Sequence, residues 1–171
     1  MILVIIMEYF DVLSKNRQNL NYTKSKNCKL ESNEYNQGAE IWIINNGKLL
    51  MTKRSLKKSH PGEWETTGGC SQHGETSIIT ILREVKEEIG INLSEDNLEL
   101  IGTHLYKKQF VDVYKTNEMI NESDISLQTS EVTKYKFVNK EEFIKMIEEN
   151  IVVKSVVDRY YMFKNNLDAD W

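Results

Sequence analysis

GGCSQHGETSIITILREVKEEIGI, residues 68–91, is the stretch from which the rest of the chain is read. From about Glu75 to Ile89 the apolar residues Ile78, Leu82, Val85 and Ile89 recur at spacings of four, three and four. That is the period of a helix with one face against a core, and Gly90 stands where such a helix stops. At about 100° of rotation per residue, Glu84, Glu87 and Glu88 share one face, turned away from the apolar set. Like charges that close raise one another's pKa unless something positive is present, so a divalent cation is the expected remedy. The plain alternative is a solvated glutamate-rich face. Against it, acids in a last turn oppose the helix dipole, so Glu87 and Glu88 are badly placed for stability alone.

These residues resemble the signature of the Nudix hydrolases, whose fixed positions are filled here by Gly69, Glu75, Arg83, Glu84, Val85, Glu87, Glu88, Gly90 and Ile91. The approach PGEWETTGG, residues 61–69, extends the resemblance upstream. The likeness covers roughly residues 38–150 and implies an α/β (α+β) fold, a single domain with a mixed sheet packed between helices. It also implies hydrolysis of a nucleoside diphosphate linked to another group, with Mg²⁺ or Mn²⁺ as cofactor. Carried over by position, Glu87 and Glu88 are metal ligands, Glu84 a ligand or general base, and the Gly68 carbonyl a further ligand. Arg83 holds the carboxylates, Glu75 supports the loop, and Gly69 and Gly90 are structural. A carboxylate outside the box often joins such a site; Glu131 fits that placement, with Asp112, Glu118 and Glu122 as rivals. Mg²⁺ takes oxygen ligands and is shared with phosphates, so the chemistry agrees with the residue types.

Of the basic cluster Lys53, Arg54, Lys57 and Lys58, Arg54 is the preferred phosphate contact because guanidinium matches phosphate shape; Lys53 is the second choice. His60 and His73 could meet a phosphate, although loop histidines are commonly solvated. Two other functions compete. EYFDVLSKNRQN, LLMTKRS and GEWETTGG also resemble the subgroup related to isopentenyl-diphosphate isomerase, but the position of its catalytic cysteine is Gly69 here, with Cys70 displaced by one. A non-catalytic Nudix-fold binding module is the other, disfavoured by the intact REVKEE.

The whole chain sets bounds. Its 171 residues suit one domain with a sizeable core. A net charge of −4 disfavours broad nucleic-acid binding, and leaves a small phosphate-containing substrate as the expected partner. Cys28 and Cys70 match no zinc spacing, and a cytoplasmic chain with free thiols is expected. MILVIIM is too short to span a bilayer and lacks the features of a signal peptide, so no membrane association is expected. The first six residues read as an upstream start or appendage before Met7, or else as an edge strand. Homodimers are common in folds of this resemblance.

In order, residues 7–13 read as a strand and 14–27 as a polar hairpin or loop; residues 1–37 are part of, or appended to, the domain at 38–171. AEIWIIN (39–45) and KLLMTKRS (48–55) form a hairpin turning at Asn46-Gly47. Two strands separated near Lys107-Lys108 follow the box. INESDISLQTSE is a loop that could cover the substrate. EVTKYKFVN (131–139) is a strand, and KEEFIKMIEEN (140–150) and SVVDRYYMFKNNL (155–167) are helices.

Overall fold

AEIWIIN is apolar at nearly every position, so both its faces need cover, and it becomes most of the central strand β3 (Asn36–Asn45). The computed structural model describes residues 8–169 and 171, so the expectation about Met1 and Met7 lies outside the described residues. Strand β3 turns through Asn46 and Gly47, at φ 49° and 70°, into β4 (Lys48–Arg54). Two positive-φ residues are what an Asn-Gly hairpin turn supplies. The two strands pair beside the turn, Ile44 with Leu49 and Asn45 with Lys48, and then splay. Into the wedge between them come the short strands β5 (Trp64–Glu65), paired with β4, and β6 (Gly68–Cys70), paired with β3. On its other side β3 runs parallel to β8 (Gln109–Thr116), which is flanked by β7 (Glu99–Tyr106). The outer side of β4 carries β9 (Val132–Val138).

Strand alternation then sorts the core into two layers. Ala39, Ile41 and Ile43 face helix α1 (Ser77–Ile89), meeting Ile81, Val85 and Ile89. Trp42 and Ile44 face the other way, toward α2 (Lys140–Glu148) and α3 (Lys154–Leu167), where Phe143, Val156 and Tyr160 receive them. Trp42 stacks on Tyr160 at 6.1 Å and meets Phe143 edge-on at 5.7 Å. The mixed sheet between helices is thus the expected architecture, and no helix among the described residues is long and apolar enough to cross a membrane.

The polar segment after residue 13 folds as a hairpin, with β1 (Tyr9–Leu13) antiparallel to β2 (Asn19–Ser25). Its exposed second strand is held by the molecule around it more than by burial of its own. Arg17, in the turn, grips Asp112 of β8 through both terminal nitrogens at 2.9 and 2.8 Å, and reaches Gln37 at 2.6 Å. Asp11 accepts from the Gly74 amide at 2.8 Å and lies 2.7 Å from His73 Nδ1, while Tyr9 O accepts from the His73 amide at 2.8 Å. The hairpin therefore rests on the loop that leads into α1.

Burial raises the Asp112 carboxyl, but hydrogen bonds from Arg17, Ser77 and Thr103 outweigh it and hold the group below the usual carboxylate range. A depressed folded pKa contributes stability that is fully present above the unfolded value of about 3.9 and is lost as pH falls through the folded one. Arg17→Ala leaves this buried carboxylate without its bidentate partner and is expected to lower stability at pH 7 by about 2 kcal/mol. In urea titrations at pH 7 and pH 3, the gap between wild type and Arg17→Ala should narrow at pH 3. An equal gap at both would show that the ion pair is not the anchor.

Candidate functional site

Helix α1 starts at Thr76, whose side chain accepts from the Ile79 amide, and ends at Gly90, at φ 76°. Its buried stripe is Ser77, Thr80, Ile81, Val85, Glu88 and Ile89, rotated from the expected one because Ile78 and Leu82 are only half-buried. This rotation corrects the expectation that Glu84, Glu87 and Glu88 share one face turned away from the apolar set, because Glu88 lies within the buried stripe. Side-chain exposure falls from 48% at Glu87 to 14% at Glu84 and 3% at Glu88. Glu88 therefore stands at the border of the core.

Burial pushes the Glu88 carboxyl up to about 8, and the negative charges of Glu65 and Glu84 add to that while Lys58 opposes it. Its Oε1 lies 3.4 Å from Lys58 Nζ, whereas the buried Oε2 has no hydrogen-bond partner. Glu84 is raised for the same first reason, burial, against the pull of Arg83. Arg83 ties the cluster together. Its Nε and Nη2 reach Glu75 at 2.7 and 3.0 Å, Nη1 reaches Glu84 at 2.8 Å and Glu87 at 3.0 Å, and Nη2 also meets the Cys70 carbonyl at 3.2 Å. Glu75 in turn accepts from the Gln72 amide at 2.8 Å and from Thr80, so it braces the loop.

Strand β6 faces these carboxylates with backbone alone. The Ile41 amide donates to Thr67 O and the Ser71 amide to Gln37 O; with Ala39 opposite Gly69, the alternation of an antiparallel ladder turns the Gly68 and Cys70 carbonyls away from β3. Arg83 takes the Cys70 carbonyl, and Gly68's lies on the same edge. A Cβ at Gly69 would stand 2.1 Å from Glu84 Oε1, and one at Gly68 would stand 2.5 Å from the Ala39 carbonyl oxygen. Only hydrogen fits at either position without displacement.

The loop after β8 seats on the end of α1. The Ser126 amide donates to Ile89 O and the Gln128 amide to Glu88 O, satisfying carbonyls that a helix end leaves open. This seat brings Glu131 to Lys58, 2.5 Å away, and Glu131 O accepts from the Ser55 amide. Glu84, Glu87, Glu131, Arg54, Lys57, Lys58 and the edge of β6 line one cleft of about 650 Å³.

Other expected residues lie elsewhere. Lys53 is not part of the cleft wall: its neighbour Arg54 points inward, strand alternation sends Lys53 to the opposite face, and its ammonium sits 5.7 Å from the Trp64 ring. Arg54 is there but engaged, with Glu65 at 2.5 Å and Ser59 O at 2.6 Å. Of the rivals to Glu131, Asp112 serves Arg17, Glu118 binds the Ser94 amide and Asn97, and Glu122 approaches Tyr135. His73 pairs with Asp11 and His60 with Glu63. Burial pushes the Cys70 thiol up to about 11, so it is not an activated nucleophile. Glu8, Lys26 and Asn27 also line the cleft; they belong to the N-terminal hairpin, and no sequence pattern at so large a separation points to them. Glu65, buried and raised by that burial despite Arg54, went equally unsignalled.

Among the described residues no three acidic, histidine or cysteine side chains already converge as a metal cage, because Arg83 and Lys58 hold the carboxylates. The donor set nonetheless suits a hard cation. It is all oxygen, and the unpartnered Glu88 Oε2 is a buried acceptor that a cation would satisfy.

A family model described as the NUDIX domain matches residues 34–159. An uncharacterised Nudix hydrolase of Listeria innocua is 33% identical over 138 residues, covering 79% of this chain and 82% of its own. Nudix hydrolase 3 of Arabidopsis thaliana is 30% identical over 152 residues, 80% of this chain but 20% of that longer protein. Among solved structures, DR0079 from Deinococcus radiodurans aligns with a TM-score of 0.70 over 85% of this chain and 92% of its own, at 17% identity, a likeness of fold. With an unbroken box on the expected turn and helix, the chain belongs to the Nudix hydrolase family.

Proposed function

We propose that the protein hydrolyses a phosphoanhydride bond in a nucleoside diphosphate linked to another group, using Mg²⁺ or Mn²⁺. The observation that carries this reading is Glu88, a nearly inaccessible carboxylate with an unpartnered oxygen beside Glu84 and Lys58. Glu84, Glu87, Glu88 and the Gly68 carbonyl would hold the cation. When bound, it neutralises phosphate charge and lowers the pKa of water.

The chain's own groups then have distinct duties. Arg83 keeps Glu84 and Glu87 oriented, and Glu75 keeps Arg83 oriented. Glu84 is pinned against Gly69, which suits holding a cation better than carrying a proton. Glu131, with 40% of its side chain exposed and one oxygen on Lys58, has its other oxygen to receive the proton of a water that attacks phosphorus in line while the anhydride P–O bond breaks and the leaving oxygen keeps the electron pair. Lys58 and Arg54 line the path of the anion and offset its charge. Against the isomerase reading stands position 69, where the expected catalytic cysteine is a glycine and an added Cβ would meet the Glu84 carboxylate.

Glu88→Gln is expected to abolish cation binding by calorimetry and to lower turnover on a nucleoside-diphosphate panel by roughly two orders of magnitude or more. Its metal-free melting temperature near pH 7 should hold, because a carboxyl pushed up to about 8 is mostly protonated there and the amide replaces one neutral group with another. Near-native rates would remove Glu88 from the site.

Gly69→Ala tests the crowding at β6. The added methyl must push the Glu84 carboxylate aside, so turnover should fall at least about tenfold with little change in melting. Cys70→Ala, one residue on, should stay within about twofold of wild type. The reverse ranking would reopen the thiol as a participant.

A further inference from the structure

Part of the cleft wall, Glu8, Lys26 and Asn27, comes from outside the span matched by the family model. Residues Glu8 and Lys26 flank the β1–β2 hairpin, joined by a backbone hydrogen bond from the Lys26 amide to Glu8 O at 2.9 Å and by an ion pair of 2.6 Å between their side chains. Lys26 is 59% exposed and lines the same cleft as Glu84, Glu87 and Glu131.

Arg83, Arg54 and Lys58 are more heavily committed, whereas Lys57, also on the cleft wall, is exposed in the loop after β4 and lacks the fixed support that carries Lys26. Arg83 is shared among Glu75, Glu84 and Glu87, Arg54 between Glu65 and Ser59, and Lys58 between Glu88 and Glu131. Lys26 has an exposed carboxylate on its own hairpin as its ion-pair partner, and an exposed pair of that kind contributes little to stability. The hairpin that carries it is nonetheless fixed in place, by Arg17 on Asp112 and by Asp11 and Tyr9 on residues 73 and 74. A firmly seated support for a weakly committed cation at the mouth of an anion-processing cleft is a binding arrangement.

We infer that Lys26 is a substrate-binding residue that takes the negative charge of the entering diphosphate, and that Glu8 is its resting partner, displaced when the anion arrives. The inference rests on the hydrolase reading for its setting. Its chemistry is separable, because it requires only that a phosphoanhydride anion bind beside Lys26. Binding exchanges one exposed ion pair for a charge-assisted contact to phosphate and releases Glu8 to water.

The test is calorimetric binding of inorganic pyrophosphate, with Mg²⁺ in every sample, to wild type, Lys26→Ala, Lys26→Arg, Glu8→Gln and Lys15→Ala. Lys15 lies in the turn of the same hairpin and controls for net charge. Lys26→Ala should weaken binding about tenfold, Lys26→Arg should restore it to within about threefold, Glu8→Gln should tighten it, and Lys15→Ala should leave it unchanged. In turnover, Lys26→Ala should raise KM and spare kcat. Pyrophosphate binding by Lys26→Ala equal to wild type, an equal loss in Lys15→Ala, or no binding by wild type would each overturn the inference. Lys26-dependent binding by a protein that hydrolyses nothing on the diphosphate panel would uphold it and defeat the hydrolase reading instead.

Discussion

A carboxylate driven into the edge of a hydrophobic core organises this molecule. Glu88 shares its helix stripe with Ile81 and Val85, and so sits where water cannot solvate it. Everything near it answers that problem. Arg83 spreads its charge over the neighbouring acids, Lys58 reaches in from the loop after β4, and β6 approaches through Gly68 and Gly69 so that backbone can stand beside the carboxylates. An ionised carboxylate is costly in such a place, which is why burial pushes this one up to about 8, and the cost of its charge is one that an entering cation would offset.

Splaying of β3 and β4 makes the room. Had the hairpin stayed paired along its length, β5 and β6 would have no edge to join, and the Gly68–Cys70 segment would have no reason to lie across from α1. On its outer side β4 pairs with β9 along Leu49 to Arg54, and that pairing sets the position of Glu131. Geometry at the cleft is therefore set by strand pairing several residues away from any group that touches substrate.

Much of this was legible beforehand, for identifiable reasons. Asn46-Gly47 announces its turn, the box spacing announces α1 and its Gly90 stop, and the unbroken apolar run IWII in AEIWIIN announces a strand covered on both sides. The depth of Glu88 was not legible, since helical period assigns a residue an angle and says nothing of how closely the loop at 126–131 packs over it. Nor could the cluster Lys53 to Lys58 be resolved from composition: pleating turns Lys53 onto Trp64, and the turn after Arg54 swings Lys58 inward. Contacts such as Arg17 with Asp112 join residues 95 positions apart, and neither partner carries a mark of the other.

The docking of the N-terminal hairpin sets a limit on modularity. Judged by the family match, the chain could be cut before residue 34 with its signature complete. In space that cut would remove the cover of Asp112, the acceptor of the Gly74 amide and one side of the cleft. The signature would survive as text while its loop lost the surface on which it is shaped, so an autonomous unit of this protein has to be drawn from its hydrogen bonds, with the hairpin inside it.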